Sequence, residues 1–587
     1  MRLGLLVPSA LVALAVAAPA LADEPVPTFG DETSGAGGAG GAGASGASSA
    51  IPGEIAVDLR DDVTEADIQD IDAKYSLHLR PTSAWSTTHD RLEVDDVDPA
   101  REDAVLDGLS HDARVEHAEP MALYRATFVP DDPLYASKQW HLKRVGAESA
   151  WNYSCGQGIT VAVIDTGVAC FDKGPFTKGT DLAGTRCQGG WNFVDDNAAA
   201  ADDHGHGTHV AGTIAQTTDN GMGAAGLAFC ATLMPVKVLS KQGFGSLANV
   251  AEGIRFAADN GAQIINMSLG GPSKSRILED AVNHALSKGV VVVAAAGNSG
   301  RSVGYPAAYP GVFAVSATDD KDNIAWFSSR GPQVAIAAPG VAVTQQTVCN
   351  GGKDKCEIFG TFNGTSMASP HVAGVAALIE SMGVTDADSV RAALSASARP
   401  KDNANLYGAG ILDAGAAASH IFWNHLLLRG LALVGIAWLV GRRIRKSGGK
   451  VTRTAGTMVA ALVASVGLLP IAPLLHLRAD GELHTLVELA MRPLGEWDLV
   501  LAGAGVHKWL LLASALPALG LTMLGFASQR LRPIIGGIAL GSAALMVQLA
   551  WSGDAAFVGG AMLARVWTIG NGLVCLWLAR MALDSKG

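Results

Sequence analysis

The C-terminal part of the chain contains five apolar stretches, each close to the ~20 residues that a helix needs to cross a bilayer. They cover residues 424–441, 455–475, 509–527, 533–551 and 556–579. Only 17% of the 587 residues are charged and 49% are hydrophobic, as expected when part of a chain lies in lipid. Because lipid cannot satisfy unpaired backbone groups, such stretches cross a membrane as helices. The sequence therefore predicts an all-α membrane domain with about five transmembrane helices over residues 421–587.

Basic residues between these stretches predict the topology. Residues 442–453, between the first and second stretches, are rich in Lys and Arg, and Arg530 and Arg532 lie between the third and fourth. Basic loops next to membrane spans stay in the cytoplasm, so an odd number of spans places everything before residue 424 outside. Arg429 and Arg565 interrupt two of the stretches. We interpret them as bundle contacts or as side chains that reach the membrane surface, with a functional charge as the alternative.

The N-terminus predicts export. Arg2 precedes an apolar run over 3–18, and the small residues Ala20 and Ala22 then fit a signal-peptidase site, so we assign 1–22 as a signal peptide. An uncleaved membrane anchor is the alternative. Residues 23–50, mostly Gly, Ala and Ser, are predicted to be a flexible linker.

Acidic residues are concentrated between residues 51 and 126, which account for the net charge of −12. This balance argues against nucleic acid as the main partner, because binding to phosphates requires a basic surface. Within the segment, extended apolar patches such as Ile55–Leu59 alternate with helix-like stretches. The pattern predicts a small α+β domain over 51–126.

Residues 127–420 alternate strand-like apolar runs with helical stretches. The runs include 159–164, 233–238, 264–268 and 290–296. Strands that are apolar almost throughout are typical of a parallel sheet covered by helices on both faces. The predicted fold class is therefore α/β.

Three separated blocks in this region carry residues suited to nucleophilic catalysis. Asp165 ends an apolar strand, His206 lies in the histidine-rich stretch 203–212, and Ser366 lies near the start of an apolar helix. A nucleophilic serine needs a base to accept its proton and a carboxylate to orient that base. The three residues supply these types in the order Asp, His, Ser, which is the order of subtilisin.

Together these blocks resemble the catalytic domain of the subtilisin family of serine proteases over about residues 130–415. The resemblance implies that Asp165 is the orienting carboxylate, His206 the base and Ser366 the nucleophile. Asn298, in Gly297-Asn298-Ser299-Gly300, resembles the amide that stabilises the oxyanion. The neighbouring His204 and His209 are then bystanders, one near the cleft and one packed structurally.

The resemblance also implies where substrate binds. An extended substrate strand is expected to lie between two backbone segments, Gly243-Phe244-Gly245 and Ser268-Leu269-Gly270. Gly304 resembles the floor of the pocket for the residue before the scissile bond. An open, uncharged pocket of this kind favours large apolar or aromatic side chains, with modest selectivity.

Two kinds of metal site can be considered. The spacing of His204, His206 and His209 superficially suggests a dinuclear zinc hydrolase, but Thr208 stands where an aspartate is needed. Asp181 and Asn220 resemble side-chain ligands of the family's stabilising calcium site, and hard oxygen ligands suit that ion. Ordinary turn residues are the alternative interpretation of this pair.

Seven cysteines are present, six of them between residues 155 and 356. Export to an oxidising compartment predicts disulfides. Cys349 and Cys356 flank a turn-like loop, Cys170 with Cys187 is the next pairing, and Cys155 with Cys230 remains, although sequence alone leaves the connectivity open.

The segment 51–126 resembles the family's inhibitory propeptide, which assists folding, occupies the cleft and is removed by a cut between about 121 and 134. These features predict a self-processing serine endopeptidase in the cytoplasmic membrane, with its catalytic domain on the periplasmic or extracellular side. Its partners would be protein or peptide substrates, its own propeptide and the lipid bilayer. Two other hypotheses are a membrane signalling or transport protein with a protease-like sensor domain, and an enzyme that cuts only itself.

Overall fold

The structure is a computed structural model that describes residues 50–83, 86–89, 91–122, 128–172, 177–348, 358–475, 482–507, 525, 528–555 and 561–584. The predicted signal peptide and nearly all of the predicted linker therefore lie outside the described residues. The described residues up to 122 form one compact unit, and those from 128 onward form another.

The first unit is an α+β arrangement. Its strands β1–β4 form an antiparallel sheet in the order β2-β3-β1-β4. Alternate residues of β1, namely Ile55, Val57 and Leu59, are buried and face the helices, whereas Ala56 and Asp58 are less buried. The elements are β1 (Ala50–Leu59), α1 (Glu65–Tyr75), β2 (Arg80–Pro81), α2 (Ser86–His89), β3 (Leu92–Asp96), α3 (Glu102–Ser110) and β4 (Val115–Ala122).

The second unit contains the predicted parallel sheet. Its strands follow the order β12-β11-β10-β9-β5-β8-β6, with β7 also pairing with β8, and each of these pairs is parallel. The strands are β5 (Thr160–Asp165), β6 (Arg186–Cys187), β7 (Trp191–Asn192), β8 (Thr232–Lys237), β9 (Ile264–Met267), β10 (Val291–Ala295), β11 (Phe313–Thr318) and β12 (Val334–Pro339). A separate antiparallel pair consists of β13 (Val343–Gln346) and β14 (Phe359–Phe362).

Helices cover this sheet on both faces, as the apolar strands predict. Within β5, Val161 and Val163 belong to one apolar cluster, whereas Ala162 and Ile164 belong to another. Since successive strand residues point to opposite faces, both faces of the sheet are buried. The helices are α4 (Pro133–Lys138), α5 (Trp140–Arg144), α6 (Ala147–Trp151), α7 (His206–Ala215), α8 (Leu247–Asp259), α9 (Arg276–Ser287), α10 (Thr365–Ser381), α11 (Ala387–Ser397) and α12 (Ala404–Tyr407).

A helical region follows. Its helices are α13 (Ala414–Lys446), α14 (Ala455–Val466), α15 (Glu482–Met491), α16 (Trp497–Ala502), α17 (Arg532–Ser552) and α18 (Ala561–Leu583). In the part of the chain that the structure describes, α13, α17 and α18 are long and apolar enough to cross a membrane. The second predicted span is shorter than expected, because α14 ends at Val466 before Gly467 and Pro470. The third predicted span lies almost entirely outside the described residues.

Small residues let two of these helices approach closely. Gly537 and Gly541 of α17, four residues apart, lie against the backbone of α14 at Thr457 and Ala461. A side-chain carbon at either glycine would lie within 2.5 Å of a carbonyl oxygen of α14. This is the close packing that small residues at four-residue spacing allow between apolar helices.

Helix α13 belongs both to the α/β domain and to the helical region of the second unit. Its first turn, including Ala414 and Ala417, is buried in the apolar cluster of the α/β domain, and the helix then continues without a break to Lys446. It therefore passes uninterrupted through the domain boundary predicted between residues 420 and 421.

Two of the predicted disulfides are present. Cys155 pairs with Cys230, and Cys170 pairs with Cys187. The predicted Cys349–Cys356 pair lies outside the described residues, and Cys575 is a buried free thiol.

Candidate active site

Asp165 and His206 meet at the carboxyl edge of the parallel sheet. Asp165 is the last residue of β5 and is fully buried, and His206 is the first residue of α7. The His206 Nδ1 atom lies 2.7 Å from Oδ1 of Asp165. Burial of the ring lowers the pKa of His206, but the charge and hydrogen bond of Asp165 outweigh it, so the pKa lies above the ordinary histidine value.

A network around Asp202 positions the start of α7. One carboxylate oxygen of Asp202 accepts the hydroxyl of Thr166 and the N–H groups of His204 and Gly205. The other accepts both the N–H and the hydroxyl of Thr208. Asp202 thus connects the turn after Asp165 to the turn that carries His206. Gly205 has a φ of +101°, a conformation that favours glycine.

Ser366 lies in the first turn of α10 and is half-buried. Its hydroxyl donates to the backbone carbonyl of Ser268 at 3.0 Å rather than to His206. Ser366 and His206 nevertheless line the same cleft. Catalytic hydrogen bonds are often long or misaligned before substrate binds, so this geometry is compatible with a serine–histidine pair.

Asn298 follows β10 and is exposed, with its amide held by Thr365. The backbone N–H and the hydroxyl of Thr365 both donate to the side-chain oxygen of Asn298, each at 2.9 Å. Both bonds use the oxygen of the amide, so its NH2 group stays available as a donor. The nitrogen lies next to Gly364, within two residues of Ser366.

The predicted substrate segments line an open cleft of about 600 Å³. Residues 243–245 and 268–270 both contribute to it, together with His206 and Ser366. Phe244 is 79% exposed at its rim. Gly304 lies one residue before Tyr305, which lines the cleft and pairs with Gly271 through two backbone hydrogen bonds of 2.8 Å.

The other two histidines of the block point to different places. His204 is exposed on the cleft, with its ring centroid 6.2 Å from that of His206. His209 is buried, donates through Nε2 to the carbonyl of Val343 at 3.0 Å and stacks on Phe362. Among the described residues, no group of three or more His, Cys, Asp or Glu side chains is arranged to hold a metal ion.

His371, in the same helix as Ser366, forms a buried pair with His141. Nδ1 of His371 donates to the carbonyl of Met367, so its Nε2 accepts from Nδ1 of His141 at 2.8 Å. Burial lowers the pKa of His371 to about 4 and places that of His141 well below the ordinary value. Both rings are therefore neutral, and they connect α10 to α5.

The residues predicted to bind calcium lie together. Asn220 donates to one carboxylate oxygen of Asp181 at 2.8 Å, and the N–H of Ala224 donates to the other at 2.8 Å. Sequence reasoning missed Asp132, which is buried nearby and has a carboxylate oxygen without a hydrogen-bond partner. Burial, with a further contribution from the Asp181 charge, raises the pKa of Asp132 to about 6. Buried carboxylates that oppose ionisation and an unpaired oxygen fit a hard cation such as calcium.

Sequence reasoning also missed Asp202 and Thr365, which position His206 and Asn298. Each lies next to a block that was recognised, and an Asp shortly before a helix start is a known signal for binding helical N–H groups. Lys237 was missed as well; its buried ammonium donates to Asp203 and to the carbonyl of Thr166. It holds the turn directly after Asp165.

Comparison with known proteins identifies the family of this chain. The model of the subtilase family (Peptidase_S8) matches residues 156–410. The chain is 42% identical to thermitase of Thermoactinomyces vulgaris over 270 residues, which is 46% of this chain and 90% of the relative. It is 43% identical to subtilisin Savinase of Lederbergia lenta over 284 residues, 48% of this chain and 98% of the relative. It is also 40% identical to M-protease of Shouchella clausii over 329 residues, 56% of this chain and 77% of the relative. The chain therefore belongs to the subtilase family of serine endopeptidases.

Proposed function

We propose that Ser366, His206 and Asp165 carry out peptide hydrolysis through an acyl-enzyme. The observation that carries this assignment is the 2.7 Å contact between the fully buried Asp165 and His206, on the same cleft as Ser366. A buried carboxylate on Nδ1 fixes the histidine tautomer and stabilises the imidazolium that forms when Nε2 takes a proton.

The reaction follows from these positions. The hydroxyl of Ser366 leaves the carbonyl of Ser268, gives its proton to Nε2 of His206 and attacks the substrate carbonyl carbon. The amide of Asn298 and the backbone N–H of Ser366 stabilise the negative charge that develops on the carbonyl oxygen. His206 then protonates the leaving amine, and water hydrolyses the acyl-enzyme by the same steps in reverse order.

Substrate binds as an extended strand between residues 243–245 and 268–270. The proposal is supported by the position of both segments on the cleft and by their glycines, which allow close backbone approach. The exposed Phe244 ring offers an apolar surface that substrate can cover. The pocket next to Gly304 takes a large apolar or aromatic residue before the scissile bond.

The enzyme is made as an exported, membrane-anchored proenzyme. The signal sequence, the basic loops and the long apolar helices α13, α17 and α18 support this topology. The α+β unit over 51–126 acts as the inhibitory propeptide, and it is removed by a cut between about 121 and 134. Residues 123–127 of that region lie outside the described residues.

Asp181 and Asn220, together with Asp132, would hold a structural calcium ion. When bound, it supplies positive charge that neutralises the buried carboxylates of this loop cluster. It takes no part in the chemistry at Ser366.

The test compares the full chain with Ser366→Ala and with Ser395→Ala, a matched serine on α11 away from the cleft. We expect fluorophosphonate labelling, loss of the propeptide and hydrolysis of peptides with an aromatic residue before the cut in the wild type and Ser395→Ala only. Labelling of Ser366→Ala would contradict the assignment of the nucleophile. Propeptide loss without turnover of added peptides would favour the hypothesis that the enzyme cuts only itself.

A folded wild type that neither labels nor cleaves, with and without calcium, would favour the signalling or transport hypothesis. In that case the helical region carries the function, and the α/β domain serves as a sensor.

A further inference from the structure

The loop region before the third predicted span is part of the α/β domain. Leu499 and Ala504 are fully buried in the same apolar cluster as Val161 of β5. The N–H of Ala504 donates to the carbonyl of Gly158 at 3.0 Å, and the side-chain amide of Gln157 donates to the carbonyl of Val500 at 3.2 Å. This helical segment therefore packs against the α/β domain through both apolar and backbone contacts.

A second contact joins the end of α17 to the start of α11. The carbonyl of Asp554 accepts the N–H groups of Thr385 and Asp386 at 2.7 and 2.8 Å. The hydroxyl of Ser389 donates to the carbonyl of Gly553 at 3.3 Å. These backbone hydrogen bonds hold the N-cap of α11 against the end of α17.

Buried charged groups connect these contacts to the long apolar helices. Arg429 of α13 is 5% exposed, pairs with Glu496 and donates to the side-chain oxygen of Gln548 in α17. His425 of α13 lies 2.9 Å from the carboxylate of Asp554. A buried charged side chain that loses its partner is strongly disfavoured. The network therefore opposes separation or rotation of the helical region relative to the α/β domain.

These contacts lie at the end of the sheet opposite the cleft. Gln157 and Gly158 precede β5, whereas Asp165 ends it; six strand residues separate the two ends by about 20 Å. Helix α10 gives an independent measure. It begins next to Ser366 and ends at Ser381, two residues before Gly383, which packs on Glu496. Fifteen helical steps span about 23 Å.

We infer that the helical region holds the catalytic cleft in one orientation, facing away from the bilayer, at a height of about 20 Å, because Glu496 pairs with Arg429 at the edge of the first predicted span. The inference rests on the protease and membrane topology proposed above. It defines a substrate class: soluble proteins, and membrane proteins whose cut site lies far from their span. At about 3.3 Å per extended residue, the cut site must be about six residues or more from a membrane anchor. Segments closer to the lipid cannot reach Ser366.

The direct test measures the height of the cleft. A fluorophosphonate dye attached to Ser366 in the full chain, reconstituted in phosphatidylcholine vesicles, serves as energy donor to acceptor dyes on lipid headgroups. The matched control carries the dye on Asp388→Cys. This exposed position on α11 lies next to the contact between α11 and the end of α17. We expect a closest approach to the acceptor plane of about 20 Å for the Ser366 dye and a clearly shorter one for the control. Equal or shorter approach for the Ser366 dye would overturn the inference.

A second test uses anchored substrates. Single-span peptides carry one preferred cut site at about 4, 8, 12 or 20 residues from the span, and each is reconstituted with the full-length enzyme. We expect at least tenfold slower cleavage at the four-residue spacer than at the two longest spacers, whereas equal cleavage at all spacers would overturn the inference. Turnover of a soluble peptide by the same vesicles is measured alongside. If neither labelling nor soluble turnover occurs, the proposed function itself has failed, and if the enzyme does not remain with the vesicles, the proposed topology has failed.

Discussion

Thr365 donates both its backbone N–H and its hydroxyl to the side-chain oxygen of Asn298, and each bond is 2.9 Å long. The residue next to the proposed nucleophile thereby sets the direction of the proposed oxyanion donor. Because the charge on the oxyanion exists only in the transition state, this orientation affects the rate of the chemical step and not substrate binding.

We predict that Thr365→Val lowers kcat about tenfold with little change in KM, because it removes one of the two hydrogen bonds to Asn298. Thr365→Ser keeps the hydroxyl and should remain near the wild-type rate. Asn298→Ala should lower kcat by about 100- to 1,000-fold, which is the cost established for this donor in subtilisin. Steady-state kinetics on a soluble peptide give these values. A rise in KM at constant kcat in Thr365→Val would place Thr365 in substrate binding instead.

The pH dependence of activity follows from His206. The base must be neutral in the free enzyme, and the Asp165 charge raises the pKa of His206 above its ordinary value of about 6.5. We therefore expect kcat/KM to fall as pH drops, with the midpoint of the acid limb above pH ~6.5. Asp165→Asn should lower kcat by about 10⁴-fold and shift this midpoint downward. A wild-type midpoint below that value would show that Asp165 does not act on His206 in this way.

The buried histidine pair predicts acid lability. His371 has its pKa lowered to about 4 in the folded state, so the unfolded chain binds a proton more readily below pH ~6.5. The contribution of neutral His371 to the free energy of unfolding is therefore complete above pH ~6.5. It falls by about 3 kcal/mol as pH drops toward 4. Chemical denaturation of Ser366→Ala, which lacks the proposed nucleophile, measures this loss. His371→Asn in that background should be less stable at neutral pH but should show a shallower decline on acidification.

The disulfides should contribute unequally to stability. Cys155 and Cys230 close a loop with a sequence separation of 75, whereas Cys170 and Cys187 are separated by 17. Longer loops restrict the unfolded chain more, so replacing the first pair with alanine should cost about 4 kcal/mol and the second about 3 kcal/mol. Denaturant titrations of both double variants in the Ser366→Ala background test the order. A larger cost for the short loop would contradict the chain-entropy argument.

Calcium should stabilise the folded chain through Asp132 and Asp181. At a concentration about 100 times its dissociation constant, bound calcium adds roughly 2.7 kcal/mol to the free energy of unfolding. We expect a chelator to lower the Tm of Ser366→Ala, and Asp132→Asn to abolish this response. Asp388→Asn, at an exposed position, is the control and should respond like its parent. If Asp132→Asn keeps the full response to calcium, the ion is held elsewhere.

Much of the fold and the candidate site could be predicted because their signals are local. The apolar strands of residues 159–164 and 290–296 indicate a sheet buried on both faces, and the structure confirms it. Asp165, His206 and Ser366 lie in short blocks whose residue types and order suffice to suggest serine chemistry. Thr365 and Asp132 could not be found in this way, since each acts on a partner that is distant in the chain, whereas Asp202 was overlooked although an Asp shortly before a helix start is a recognisable signal.

The sequence alone determines which side chains are available, in what order they occur and which stretches are apolar enough for lipid. These properties depend on residue type and on periods of two or 3.6 residues, which are visible without any long-range contact. Only the tertiary structure decided that Ser366 bonds to Ser268 in the free enzyme and that the segment around Leu499 packs at the amino end of β5. Such relationships depend on how distant segments pack. The placement of the cleft and the helical region at opposite ends of the sheet is therefore a property of the folded chain.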